Sequence, residues 1–252
     1  TVQAELVKAI AVIFGKDDSD FKLRIAGRTD AGVHAQHQVA HLDLTTAQLK
    51  RIGRNPDVAG RVNTALPKDI RVFSFAVAPE GFDARYSATY RKYRYRVADK
   101  NCFVDPLDVR YVLEVKPELD IKLMKQAAKV LVGLHDFGGF CKPRPGATTI
   151  RRLRSIKISR NQSKGRIIDI ELKGDAFCHN MVRSIVGALV AVGRGRASVS
   201  DVQKRLKSGS RAGSLKVVAA KGLSLIEVGY PKDSRMGLQA QNTRKRRVLE
   251  EN

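Results

Sequence analysis

A glycine-flanked turn near the start of the chain constrains the fold more than any other feature of the sequence. The run GRTDAGVHA occupies residues 27–35. A short apolar segment before it predicts a strand over 21–26, and alternating residues after it predict a strand over 38–44. Its two glycines permit a positive φ or a close backbone approach. The pattern therefore predicts a rigid loop between two strands, with the carboxylate of Asp30 projecting from the sheet edge.

Two interpretations of Asp30 are open on this pattern alone. Arg28 stands two residues earlier, and its charge could hold the carboxylate ionised or bind an anionic ligand. Alternatively, Asp30 bonds to its own backbone in an ordinary hairpin, as aspartate in turns commonly does. Spacing does not decide between these roles.

The charge of the chain indicates a polyanionic partner. Lys and Arg number 47 against 25 Asp and Glu, which gives a formal charge of +22. Residues 231–252 contain six basic and three acidic side chains, so a basic tail does not explain the excess. A body this basic repels itself unless polyanions are its partners, and nucleic acid is the commonest of these. A ribosome-associated or merely cationic protein is the alternative. Nucleic-acid binding predicts a strong dependence on salt.

Cysteine spacing and hydropathy exclude several classes of protein. The three cysteines, at positions 102, 141 and 178, form no CxxC pair, which argues against a zinc site and against a disulfide framework. No apolar run reaches the roughly 18 residues of a membrane span, and the start shows no signal-peptide pattern. We therefore expect a cytoplasmic protein with no membrane partner.

A second region that could carry chemistry lies at residues 82–96. There Tyr93 and Tyr95 alternate with Arg94 and Arg96, which predicts a strand with an aromatic face and a cationic face. Interleaved aromatic and basic side chains suit stacking on a base while binding phosphates. A half-buried strand with a basic solvent face is the alternative. We assign Tyr95 to the core.

A third region, at residues 175–187, predicts a helix over about 180–192 with one apolar stripe. Arg183 lies off that stripe and close to the start of the helix. It is either a solvated surface arginine or a functional group. Cys178 and His179 stand nearby, but a metal site there would need more ligands than the segment offers.

Two loops between these regions also carry polar side chains. His135 and Asp136 lie in a glycine-rich segment; local hydrogen bonding explains them more simply than acid–base catalysis or half a metal site. The basic loop at 142–146, KPRPG, either clamps RNA or forms a solvated turn.

Taken together, the three regions resemble the TruA family of tRNA pseudouridine synthases, in order and in sequence. Residues 27–35 match the family's catalytic run GRTDAGVHA without a substitution, and residues 82–95 fit its FxARxSAxxRxYxY motif. Residues 177–187 fit FxxHMVRxIVG, with Asn180 where relatives often have His. The resemblance extends over about residues 1–231.

This resemblance implies an α/β fold of the α+β type. Two similar α/β halves, each an antiparallel sheet flanked by helices, would enclose a basic catalytic cleft. We expect an N-terminal domain over 1–100 with the catalytic loop, a C-terminal domain over 101–230, and a basic disordered tail over 231–252. In the family a further strand and an RNA-contacting loop precede this region, and we expect the present sequence to lack them.

The resemblance also implies a reaction: isomerisation of uridine to pseudouridine in the anticodon stem-loop of tRNA, at positions 38, 39 and 40. Asp30 would be the nucleophile, Arg183 its ion-pair partner, and Tyr93 the residue that packs against the target uracil. RNA-binding roles are expected for Arg28, Arg85, Arg91 and Tyr93. A redox-neutral isomerisation needs no metal and no organic cofactor. The expected partners are tRNA and a second copy of the chain in a homodimer.

Two alternatives from other functional classes stay open. A non-catalytic RNA-binding module would explain the charge and the tyrosines, but would leave Asp30 and Arg183 without a purpose. A metal-dependent nuclease could use Asp30, His34 and His37. EDTA-sensitive strand cleavage would distinguish it from an isomerase.

Overall fold

The computed structural model describes residues 1–15, 21–53, 57–211 and 215–245. The helices of these ranges are α1 (Val2–Phe14), α2 (Thr46–Ile52), α3 (Val58–Ala65), α4 (Ile121–Lys129), α5 (Met181–Gly193), α6 (Val199–Ser208) and α7 (Met236–Arg244). The strands are β1 (Arg24–Ile25), β2 (His34–Ala35), β3 (Ala40–His41), β4 (Tyr90–Ala98), β5 (Leu113–Glu114), β6 (Gly133–Asp136), β7 (Ile150–Arg160), β8 (Ile168–Gly174) and β9 (Leu223–Gly229). Short 3₁₀ helices cover Pro106–Tyr111, Gly138–Phe140 and Asp233–Arg235.

The strands form one large sheet and one small one. The large sheet has the order β2-β9-β4-β8-β7-β6, with β5 added beside β4, and β1 pairs with β3 in the small sheet. All pairs are antiparallel except β2–β9 and β4–β5, which are two residues long. This confirms the predicted α/β class with antiparallel sheets and flanking helices. Because β4 lies between β8 and β9, the large sheet contains strands from both sides of residue 100, and the division into two domains there stays a prediction.

Strand β4 forms as its alternating sequence predicts. Tyr93, Tyr95 and Val97 are buried on one face, while Arg94 on the other face forms an ion pair with Glu171 of β8 (2.7 Å). The Tyr95 hydroxyl donates to the carbonyl of Ala219 (2.7 Å), as a buried phenol requires. The assignment of Tyr95 to the core is therefore confirmed.

Among the described residues, the two larger of three apolar clusters form most of the core. The larger one packs β4, β7 and β8 against α4 and α5, and the smaller one joins α1 and α3 to the segments around them. Helix α5 is the central element of the larger cluster, and eleven of its residues are buried. The residues predicted to face the core from this helix are all buried: Met181, Ile185, Ala188, Leu189 and Val192. A rigid helix therefore carries Arg183.

The alternating sequence from Ile70 to Val77 predicts a strand, but none forms there. The amide of Asn63 bonds to both the N–H and the carbonyl of Val72 (2.8 Å each), and no described strand pairs with this segment. Phe73 and Val77 are 83% and 96% exposed. Alternation predicted a strand here, but a strand also needs a neighbour. For the same reason β1 and β3, which pair only with each other, are shorter than the segments predicted at 21–26 and 38–44.

The tail contains a helix where the composition predicted disorder. Within α7, Met236 and Ala240 are buried, and Arg244 lies 3.2 Å from the carboxylate of Asp83. A Cβ on Gly81 would be 2.9 Å from the Cα of Gly237, so two glycines allow close contact. Disorder was therefore the wrong prediction for residues 236–244; positions 246–252 lie outside the described residues.

The cysteines also differ from the expectation. Cys141 and Cys178 form a disulfide with their Cα atoms 5.7 Å apart, at a sequence separation of 37. This distance is typical of disulfides. Spacing could not reveal the pair, because the fold brings together the segment after β6 and the segment before α5. Cys102 is a free thiol.

Candidate active site

The loop that carries Asp30 is fixed by backbone geometry and by side chains around it. The N–H of Val33 donates to the carbonyl of Asp30 (3.1 Å), and Gly32 has a φ of +78°, a conformation that side chains disfavour. The side-chain amide of Gln38, after the turn, donates to the carbonyl of Gly27, before it (2.8 Å). The turn therefore presents the Asp30 carboxylate at a defined place, with 25% of the side chain exposed.

Arg183 reaches Asp30 from the first turn of α5. Its Nη1 lies 2.8 Å from Oδ2 of Asp30, and its Nε donates to the carbonyl of Val218 (2.9 Å). The segment containing Val218 can approach α5 because position 187 is glycine: a Cβ there would lie 1.9 Å from the carbonyl oxygen of Lys216. Arg183 is therefore held by a backbone acceptor in the orientation that pairs it with the carboxylate.

His179 is the second cation-capable group beside Asp30. Its Nε2 lies 3.3 Å from Oδ1 of Asp30. Between His179 and α5, Asn180 has a φ of +66°, which asparagine tolerates better than most residues. Sequence reasoning considered His179 only as part of a metal pair with Cys178 and missed this contact. The signal was its place in the same motif as Arg183.

Tyr93 forms the apolar wall of the site. Its side chain is buried, and its ring meets that of Phe177 edge-on, with centroids 5.1 Å apart. Burial raises the pKa of Tyr93 to about 12, while Arg91 lowers it and Asp30 raises it to smaller extents. The phenol is therefore neutral at physiological pH, and its use in the site is as a surface or a hydrogen-bonding group.

These residues border one open, basic cavity of about 830 Å³. Its lining comes from both predicted halves of the chain. The basic side chains are Arg24, Arg28, Arg85, Arg91, Lys142, Arg144, Arg151 and Arg183, against the acidic Asp30 and Asp83. A cavity of this size fits a small ligand, and its charge favours an anionic one. Lys142 and Arg144 belong to the KPRPG loop, which favours the RNA-contact interpretation of that loop.

The predicted RNA-binding residues differ in what they can reach. Arg28 and Arg85 are exposed at the cavity and can bind phosphates. Arg91 is buried, and its guanidinium donates to the carbonyls of Ala26, Arg85 and Asp175. This corrects the expectation of an RNA contact, since Arg91 instead ties β4 to the backbone just before the Asp30 loop.

The other candidate residues have local roles. His34 Nε2 lies 3.3 Å from the carbonyl of Arg110, and its ring contacts Tyr111, so it does not join Asp30 as the nuclease alternative requires. His135 and Asp136 bond within their own neighbourhood. Among the residues that the structure describes, no group of three His, Cys, Asp or Glu side chains could hold a metal ion.

Comparison with known proteins identifies the family. A sequence model described as "tRNA pseudouridine synthase" matches residues 127–231. The protein named tRNA pseudouridine synthase A of Streptomyces avermitilis is 44% identical, over 99% of this chain and 86% of the relative. Those of Leifsonia xyli subsp. xyli and Mycobacterium leprae are each 43% identical, over 99% and 88% of this chain and 90% and 80% of the relatives.

The chain belongs to the TruA family of tRNA pseudouridine synthases. This is a family of isomerases. Its three motifs, separate in the sequence, supply the loop, the strand and the helix that meet at the cavity. No described helix has the length and hydropathy needed to cross a membrane. The contributions that sequence reasoning missed, from His179, Phe177 and the Val218 carbonyl, come from elements whose proximity only the fold determines.

Proposed function

We propose that this chain converts uridine to pseudouridine in tRNA, with Asp30 as the nucleophile. The observation that carries the proposal is the Asp30–Arg183 pair (2.8 Å) at the edge of a basic cavity, in a chain whose relatives are named tRNA pseudouridine synthase A. The isomerisation exchanges bonds without net oxidation or reduction, so a carboxylate can initiate it and no metal or organic cofactor is needed.

The target uridine must leave its base stack before Asp30 can reach it, at a cost of a few kcal/mol. Arg28 is exposed beside Asp30 and takes the place of the extruded base or binds its phosphate. The base then lies against Tyr93, whose neutral phenol ring offers a flat apolar surface. The exposed basic side chains of the cavity hold the RNA through its phosphates.

The reaction breaks the N1–C1′ bond, joins C1′ to C5, removes the hydrogen from C5 and places one on N1. Attack by the Asp30 carboxylate at uracil C6 and attack at ribose C1′ are both consistent with this balance. In either route the carboxylate must be ionised and held. Arg183 provides a charge-assisted hydrogen bond to one of its oxygens, while the base enters from the open side of the cavity.

We further propose, from the family resemblance, that the target lies in the anticodon stem-loop, at positions 38 to 40, and that the chain acts as a homodimer in the cytoplasm. A duplex stem is recognised mainly by shape and backbone, which suits a broad basic surface more than a base-specific pocket. A dimer would extend that surface along the tRNA.

The deciding experiment measures tritium release from tRNA transcripts labelled at uracil C5, with EDTA present. We expect release by the wild-type chain and a loss of at least about 10³-fold for Asp30→Asn. Asp43→Asn is the matched control, because Asp43 is an exposed aspartate of the same region outside the cavity. Turnover by Asp30→Asn at the wild-type rate would refute the role of Asp30. Salt-sensitive tRNA binding without any release would favour the RNA-binding module.

A further inference from the structure

The two oxygens of the Asp30 carboxylate have different partners. Oδ2 lies 2.8 Å from Arg183 Nη1, and Oδ1 lies 3.3 Å from His179 Nε2. Arg183 binds only one oxygen, so by itself it leaves the carboxylate free to rotate about the bond to Cβ. An N–H of His179 directed at Oδ1 would restrict that rotation.

We infer that His179 is a positioning residue that fixes the second oxygen of Asp30 for attack. This inference rests on the proposed function of Asp30. Holding a nucleophile in its reactive orientation reduces the entropy that the reaction step must otherwise lose, so the contact acts on the chemical step rather than on RNA binding.

The backbone around His179 is tied on both sides, as a positioning residue requires. Its carbonyl accepts from the N–H of Lys142 (2.8 Å), and the preceding residue, Cys178, is bonded to Cys141. After it, the N–H of Ser184 donates to the carbonyl of Asn180 (2.9 Å), which continues into α5. These ties join His179 to the same rigid helix that carries Arg183, so both partners of Asp30 share one support.

A neighbouring charge alone would not explain the arrangement. The cavity already carries eight basic side chains against two acidic ones, so positive charge is present there without His179. What the imidazole adds is a donor at one place, on the oxygen that Arg183 does not bind. Its side chain is 47% exposed, which leaves room for RNA beside it.

The test compares two substitutions in the tritium-release assay. His179→Ala removes the donor, and we expect kcat to fall about 10- to 100-fold with KM changed less than about twofold. His179→Gln restores an N–H at a similar reach and should recover most of the loss. His37→Ala is the control, because His37 is exposed and outside the cavity, and it should match the wild type.

The other outcomes would overturn the inference. Equal losses for His179→Ala and His179→Gln would mean that packing, not a donor, was removed. A rise in KM at constant kcat would make His179 an RNA contact, and wild-type kinetics for His179→Ala would leave it without a role. Each of these results is compatible with active wild-type enzyme, so none bears on Asp30 itself.

A second measurement does not depend on activity. Imidazole nitrogen resonances, with His179 assigned from its loss in His179→Gln, are compared between the wild type and Asp30→Asn. A contact with the carboxylate predicts that the His179 resonances shift in Asp30→Asn while those of His135 do not. Unchanged His179 resonances would refute the contact, even if the wild-type chain released no tritium.

Discussion

Two carboxylate–arginine pairs in this molecule have the same chemistry but different surroundings. In the pair of Asp99 and Arg160, the side chains are 0% and 13% exposed and the contact is 2.7 Å. In the pair of Asp30 and Arg183, they are 25% and 19% exposed and the contact is 2.8 Å. Distance alone therefore does not distinguish a structural ion pair from one that serves a reaction.

The difference lies in how fully each carboxylate is bound. Both oxygens of Asp99 accept from the guanidinium of Arg160, and the N–H groups of Asn101 and Leu119 donate to it as well. Burial alone would raise the pKa of Asp99, but these bonds outweigh it and hold the pKa well below its usual range. Asp30 accepts one strong bond, from Arg183, and faces a cavity. A saturated carboxylate stabilises a fold, whereas an incompletely bound one can still form a bond to a substrate.

The largest expected difference between the two pairs is the fall in kcat when Arg183 is replaced. Arg183→Leu removes the charge-assisted bond to Asp30, the proposed nucleophile, and we expect kcat in the tritium-release assay to fall about 10²- to 10³-fold. Arg160→Leu breaks the other pair, and should leave kcat of the folded protein unchanged. It should lower the free energy of unfolding by about 3 kcal/mol, because Asp99 is left buried without its cation.

Urea unfolding monitored by circular dichroism measures the free energy of unfolding of the two variants. The two variants should separate cleanly: one loses activity and keeps most of its stability, the other does the reverse. If Arg183→Leu lost as much stability as Arg160→Leu, both ion pairs would stabilise the fold, and the proposed difference in their roles would be wrong.

A second effect on the free energy of unfolding follows from the pH dependence of the Asp99 pair. A carboxyl whose pKa is lower in the folded chain contributes stability above its unfolded pKa of about 3.9, and that stability is lost as the pH falls through the folded value. Asp99→Asn should therefore be less stable than the wild type by about 3 kcal/mol near neutral pH. The difference in the free energy of unfolding should narrow progressively below about pH 4, because Asp99 of the unfolded wild-type chain then takes up a proton that the folded chain does not bind.

Unfolding curves of Asp99→Asn and the wild type from pH 7 to pH 3 test whether this difference in stability decreases with falling pH. Asp30→Asn, measured in parallel, is the reference for a carboxylate that is not saturated, and should show little loss of stability at any of these pH values. If the difference in the free energy of unfolding between Asp99→Asn and the wild type increased towards low pH, Asp99 would not be a buried, ionised carboxylate that stabilises the fold.

The contact between Asp30 and Arg183 could be predicted from the sequence, and the contact between Asp99 and Arg160 could not. Asp30 and Arg183 lie in motifs that identify a family, so their pairing followed from a resemblance. Asp99 lies in none of these motifs, beside the predicted domain boundary, and its partner is 61 positions away on β7. Nothing in the spacing of two such residues indicates that a fold will bury them together.

The same limit explains the other corrections. Periodicity predicted α5 and β4 well, because the apolar side chains of both elements pack into the larger core. It failed over residues 70–77, where alternation met no neighbouring strand, and over α7, where a basic composition concealed the two buried positions Met236 and Ala240. His179 was missed for a related reason: it lies beside the oxygen of Asp30 that Arg183 does not bind, and this contact is a property of the folded site.

The smallest expected effect is on kcat/KM, and it concerns Tyr93 on the apolar side of the cavity. Because burial raises the pKa of Tyr93 to about 12, its phenol is neutral during turnover, and the role left to it is to pack against the base. Tyr93→Phe keeps the ring, so kcat/KM in the tritium-release assay should fall less than about fivefold. Tyr93→Leu removes the flat surface and should cost about 1–3 kcal/mol of base stacking, roughly 5- to 150-fold. Equal losses in both variants would mean that the hydroxyl, rather than the ring, takes part in the reaction, and Tyr93 would then belong with Asp30 among the groups that act on the reacting atoms.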